Sequence, residues 1–147
     1  MSLTFQALST ESVRVIQAGG LDANGLVAET QVSDGGENSC RHCLKEILEG
    51  TEMLILADCP FPAPQPYAEI GSTFFCAEPC ERLSKIDALP EVTQNREEFL
   101  IRGYTSDHQI QYDTGKIVCV NDVEKSAEEI LTHNDVAYVY MRSASNN

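Results

Sequence analysis

The pattern that most constrains the fold is a succession of short β-type runs punctuated by turn-forming residues. Glu52–Asp58 (EMLILAD) is the most apolar of them and reads as a central strand. Leu3–Leu8, Leu26–Val32, Gly71–Cys76, Phe99–Tyr104, Gln109–Tyr112, Ile117–Val120 and Val136–Arg142 carry the same signature. Asp113–Lys116 (DTGK) is a turn in which Gly115 is expected at positive φ, so 109–112 and 117–120 form a hairpin. Helical signals are fewer. Ser9 or Thr10 can cap a helix through Gln17, which Gly19-Gly20 would end. Cys43–Gly50 reads as a second short helix. Asn121 and Glu124 make a capping-box pattern, and Val123, Ala127, Ile130 and Leu131 fall on one face of the helix that follows. Hairpin-type links between strands indicate an α+β class: a single domain over 1–147 with a largely antiparallel sheet and two or three short helices.

Pro60–Pro66 (PFPAPQP) interrupts this pattern. Alternating proline fixes φ and removes amide donors, so the segment reads as a stiff, extended connection between two strands. A ligand for an SH3-type groove is the alternative.

Charge narrows the partners. Ten Lys and Arg face 23 Asp and Glu, a net charge of −13. Phosphate neutralisation needs clustered basic residues, so nucleic acid is not an expected partner, and an anionic membrane surface is disfavoured for the same reason. No stretch approaches the roughly 18 apolar residues of a bilayer span. Met1–Gly20 has neither the apolar block of a secretory signal nor the arginines of a transit peptide, so the expected location is the cytoplasm.

A reducing compartment changes the meaning of Cys40, Cys43, Cys59, Cys76, Cys80 and Cys119, because thiols there stay free, bind metal or cycle in redox work. The plainest reading takes them as small buried hydrophobes. Two sharper readings start from Cys40-Arg41-His42-Cys43. Joined with Cys76-Ala-Glu-Pro-Cys80, it offers four sulfurs for a closed tetrahedral zinc site, with Pro79 stiffening the second pair and His42 able to replace one ligand. Alone, it could be a redox pair, with Cys40 as nucleophile and Cys43 as resolving thiol. Arg41, His42 and a following helix N-terminus would then lower the thiol pKa. The loop before the motif (SDGGENS) does not match the strand that a thioredoxin-like motif requires. Cys59 and Cys119 are left out of any site.

Arginine supplies another candidate. By alternation Arg102 shares a face with Leu100 and Tyr104, and Arg142 with Tyr138 and Tyr140. Were the faces to coincide, Arg102, Arg142 and Tyr104 could bind a carboxylate or phosphate; the bland alternative is edge arginines paired with surface acids. His108 and His133 lack metal-ligand spacing. No nucleophile elbow, P-loop or dinucleotide fingerprint occurs, and the adjacent acids Glu97-Glu98 and Glu128-Glu129 read as solvated faces.

Several of these stretches together resemble one bacterial family. Ser39–Leu44 (SCRHCL), Tyr67–Gly71 (YAEIG), Phe74-Phe75, Cys76–Arg82 (CAEPCER), Leu100–Tyr104 (LIRGY) and Val136–Arg142 (VAYVYMR) are similar to the DUF1203 family. The resemblance covers nearly the whole chain and implies no activity, substrate or cofactor. It also implies that relatives often carry His at the place of Cys76 and that some lack the second cysteine of the C-x-x-C, so a zinc site would be this chain's own. Relatives tend to continue past the last strand, whereas this chain stops at Asn147. The sheet edge would then be less covered and open to self-association. The resulting expectation is a small acidic protein that binds a metal or small ligand through paired cysteines. The alternatives are a thiol-based redox protein and a protein-binding module.

Overall fold

The computed structural model describes residues 3–83 and 87–144, without the side chains of 94 and 95. The chain end at Asn147 lies outside them. The fold is α+β, with two antiparallel three-stranded sheets and two α-helices, and the chain divides into two compact units. No helix among the described residues is long and apolar enough to cross a membrane.

The first unit comprises Thr4–Pro60 and Glu69–Val92. Helix α1 (Thr10–Gln17) starts where expected, because the Ser9 side chain accepts the Ser12 amide, and Gly19 follows its end at φ +91°. Strands β1 (Glu29–Val32), β2 (Glu52–Asp58) and β3 (Gly71–Cys76) form a sheet in the order β1-β2-β3. The most apolar run is thus the central strand, as its composition requires. Its side chains join a core of Val13, Ile16, Cys40, Cys43, Ile47, Met53, Leu54, Leu56 and Phe75. The register sets Met53 opposite Cys76 and Leu54 opposite Phe75. An Asx turn closes the loop ahead of β1. One Asp22 carboxylate oxygen accepts the Asn24 and Leu26 amides, and the other accepts the Ala57 amide on β2.

The second unit takes in Phe61–Ala68 and 93–144. Its sheet runs β5-β4-β6, with β4 (Glu98–Tyr104) central, β5 (Lys116–Cys119) on one side and β6 (Tyr138–Ser143) on the other. Helix α2 (Val123–Leu131) buries Val123, Ala127 and Ile130, as the spacing requires. Gly103 lets it approach: a Cβ there would lie 2.9 Å from both Ile130 and Val136.

Several sequence expectations give way to specific competing hydrogen bonds. Leu3–Leu8 is not a strand; only Phe5 makes a bridge. The Leu8 amide donates to the Arg41 carbonyl, and the Ala7 carbonyl accepts the Arg82 guanidinium. Gln109–Tyr112 does not pair with 117–120. The Gln111 amide bonds the Gly103 carbonyl, and the Thr114 hydroxyl accepts the Gly103 amide, so this stretch caps the edge of β4 while β5 pairs with β4 itself. Tyr112–Thr114 is a 3-10 turn, and Gly115 sits at φ −66° rather than at positive φ. The Asn121 capping box is also absent: a 3-10 turn over Val120–Asp122 precedes α2, and Asp122 occupies the N-cap position with no side-chain bond. The proline segment is not one extended run, for residues 61–63 bend and 66–67 turn. The bend carries the buried Phe61 ring to within 5.0 Å of Tyr104 and 5.5 Å of Tyr140, centroid to centroid.

Candidate metal centre

Cys43–Gly50 is the most consequential departure, because no helix forms there. The backbone around the C-x-x-C instead closes on itself as a knuckle. The Leu44 amide donates to the Cys40 carbonyl, the Cys40 amide to the Lys45 carbonyl, and Ser39 bridges Glu46. Leu44 adopts φ +54°, a left-handed conformation that glycine would accept at lower cost. The Ile47 amide then returns to the Asn38 carbonyl, and the Ser33 hydroxyl donates to the Ile47 carbonyl. Apart from the single i−4 bond from Leu44 to Cys40, these bonds run outside the helical pattern, and Cys40, Cys43 and Ile47 join the core.

The knuckle docks along β3. The Arg41 amide donates to the Phe74 carbonyl at 3.0 Å, and the Cys76 amide donates to Cys40 Sγ at 3.4 Å. The C-x-x-C therefore continues the sheet in place of a fourth strand. Convergence with the second pair follows, since Cys76 ends β3 and Cys80 lies four residues on. Helix α1 fixes that second pair through its carbonyls. Arg14 donates to the Cys80 carbonyl at 2.6 Å and to Gln17 Oε1 at 2.7 Å, and Gln17 donates to the carbonyls of Cys76 and Glu78 at 2.9 and 3.1 Å.

The four sulfurs of Cys40, Cys43, Cys76 and Cys80 all lie within 4.8 Å of one another. Cys40 and Cys80 are 3.8 Å apart, and Cys43 and Cys76 are 3.9 Å apart. A tetrahedron with zinc–sulfur bonds of about 2.3 Å has sulfur–sulfur edges of about 3.8 Å. These separations are far beyond a disulfide bond, and all six cysteines are free thiols. Cys40 and Cys43 are buried, and Cys76 and Cys80 are half-buried.

Crowding divides the thiols electrostatically. Hydrogen bonds from the Cys43 and Cys76 thiols, with help from backbone amides, hold Cys40 far below the usual thiol range. Its bonds to that thiolate push Cys43 up, and the same cause acts more strongly on Cys76. Burial, followed by the nearby Cys40 charge, pushes Cys80 up to about 12. One sulfur ionises at the expense of the other three, a conflict that a divalent cation among them would remove.

His42 is fully buried beside the cluster. Its Nδ1 lies 3.1 Å from Cys80 Sγ and its Nε2 2.9 Å from the Thr10 hydroxyl. Burial pushes its pKa below the ordinary histidine value. Cys40 is fully buried, burial disfavours the charged form of His42, and no helix follows Cys43, so these surroundings differ from those the redox reading expects. Burial raises the pKa of half-buried Asp58, and Arg41, the remaining basic residue of the motif, pulls against that shift.

The arginine faces do coincide. Register sets Arg102 opposite Tyr140 and Arg142 opposite Leu100, so both arginines share a face with Tyr104, Tyr138 and Tyr140. Tyr104, however, is fully buried. Its ring stacks on Tyr138 with centroids 5.4 Å apart and packs against Phe61 and Tyr140, which makes it a core residue rather than one that meets a ligand. Arg142 donates to the Ser143 carbonyl. Cys59 is half-buried and Cys119 exposed, and both lie outside the four-sulfur group, as the sequence suggested. Sequence reasoning missed Arg14, Gln17 and Thr10 as supports of the cluster. Their one visible signal is a 3–4-residue spacing along α1, which places them on neighbouring turns.

Fold and cluster together define an α+β protein in which paired cysteines, brought together by a knuckle and a strand end, could hold a metal ion. A family model described as "Protein of unknown function (DUF1203)" matches residues 37–147, and the chain belongs to that family. No curated protein and no solved structure matches it. The matched stretch contains all four cysteines and His42 but not α1.

Proposed function

We propose that this protein is a metal-binding module in which Cys40, Cys43, Cys76 and Cys80 hold one zinc ion in a closed structural site. The observation that carries this reading is the sulfur geometry, with edges of 3.8 and 3.9 Å within a group spanning 4.8 Å. Four sulfur ligands leave no open position for substrate, so the site's work is cross-linking rather than catalysis. Four thiolates around a divalent ion carry a net charge of −2. Arg14 and Arg82, which bond the Cys80 and Ala7 carbonyls, supply positive charge nearby. A cytoplasmic location fits the same reading, because a reducing compartment keeps the thiols available to metal.

The test is elemental analysis of protein purified without added metal. The expected content is about one zinc per chain, with loss of the metal in Cys43→Ser and Cys76→Ser. Folded wild-type protein without zinc contradicts the reading.

A further inference from the structure

The two cysteine pairs differ in what their sulfurs receive. Cys40 takes hydrogen bonds from the backbone amides of Cys43 and Cys76, and Cys43 takes one from Lys45. At Cys76 and Cys80 the neighbouring thiols and burial dominate. Cys80 instead faces a ring nitrogen of the fully buried His42, 3.1 Å away, while the other ring nitrogen is 2.9 Å from Thr10.

A metal-bound thiolate carries no proton and can only accept. We propose that His42 is a positioning residue for the metal, donating from Nδ1–H to the Cys80 thiolate while Thr10 donates its hydroxyl proton to Nε2 and so fixes the tautomer. This inference rests on the metal reading above. His42 then acts as a hydrogen-bond donor outside the ligand set, not as a replacement ligand. It supplies Cys80 with what the knuckle backbone supplies Cys40 and Cys43, and it ties the cluster to the first residue of α1. Partners that orient ligands in this way change metal affinity by about 10–100-fold when removed.

The experiment uses the full chain loaded with zinc or with cobalt(II). Zinc affinity is measured by competition with a chromophoric chelator, and the cobalt–thiolate charge-transfer bands are recorded. His42→Leu is expected to weaken zinc binding by about 10–100-fold and to shift the charge-transfer bands. His42→Asn, whose side-chain amide can stand where Nδ1–H stood, is expected to restore most of both. Thr10→Val should act in the same direction as His42→Leu and less strongly. Nitrogen-15 spectra of the zinc-loaded wild type give a readout that needs no variant and should show the neutral Nδ1–H tautomer for His42. The Nε2–H tautomer, equal losses in the Asn and Leu variants, or wild-type affinity with unchanged bands in His42→Leu would each overturn the inference and leave the metal site standing. Wild-type protein that takes up neither metal would overturn both.

Discussion

The two units reach a packed interior by different chemistry. In the second, rings do the work: Tyr104 has no exposed surface and meets Phe61, Tyr138 and Tyr140 on one face of the sheet, while α2 covers the other. In the first, the core includes two cysteines, and a loop without regular structure stands where a fourth strand would be. Apolar area is enough to close the first arrangement's counterpart, because each aromatic ring buries 150–250 Å². The knuckle cannot close that way. Its turn positions Leu44 at an unfavourable φ, and its buried sulfurs bring little apolar surface. On the proposed reading a metal cross-link would supply the difference, so metal should matter to one unit and not to the other.

The largest effect that could break this comparison is metal removal. Structural zinc in small domains contributes about 10–16 kcal/mol of apparent binding energy at pH 7, most of it realised as folding. Chelation, or Cys43→Ala, should therefore abolish hydrogen-exchange protection in β2, β3 and the 38–47 knuckle while β4 and α2 keep theirs. Equal loss in both units would erase the distinction. Acid should act as chelation does, because thiols must be deprotonated to bind, so metal is released as pH falls.

Next in size is Tyr104→Ala, expected to cost about 3–5 kcal/mol through loss of a buried aromatic, read by denaturant unfolding, with the metal content unchanged. A variant that also lost its metal would show that the aromatic core supports the cluster. Arg14→Ala removes a charged donor from the Cys80 carbonyl and should cost about 1.5–3 kcal/mol, seen as faster zinc transfer to a chelator and not as loss of the ring-packed unit. The smallest expected effect belongs to Asp58. Burial raises its pKa against the opposing pull of Arg41, so the folded state binds the proton more tightly than the unfolded one. Stability from this group is present below the unfolded value of about 3.8 and is lost as pH rises through the folded one. Asp58→Asn should flatten that slope and raise stability at neutral pH. A slope that stays unchanged in the variant would show that another group causes it.

How much of this was legible in the sequence depends on whether a local pattern decides the outcome. Glu52–Asp58, Gly71–Cys76 and α1 match their expected bounds, because an apolar run, a strand-length segment and a capped amphipathic turn each carry their own signal. Alternation also placed Arg102 and Arg142 on the tyrosine face, since period-2 geometry survives any antiparallel register of the right parity. The candidate ligands were visible as two cysteine pairs, but their meeting was not. It depends on the Arg41 amide bonding the Phe74 carbonyl and the Cys76 amide bonding Cys40 Sγ, each across more than thirty residues. Leu44 concealed the knuckle further: a glycine there would have announced positive φ, whereas Leu44 followed by Ile47 and Leu48 imitates a helix. Gly115 misled in the opposite sense, since a glycine in a turn need not use the conformation it permits.

The claim beneath all of this is that sulfurs from both halves of the sheet-and-knuckle unit hold the same ion. X-ray absorption at the zinc edge of the intact protein tests it most directly. Four sulfur scatterers at about 2.3 Å are expected. Two or three sulfurs completed by nitrogen or oxygen would contradict the closed site and leave the second cysteine pair without the role given to it.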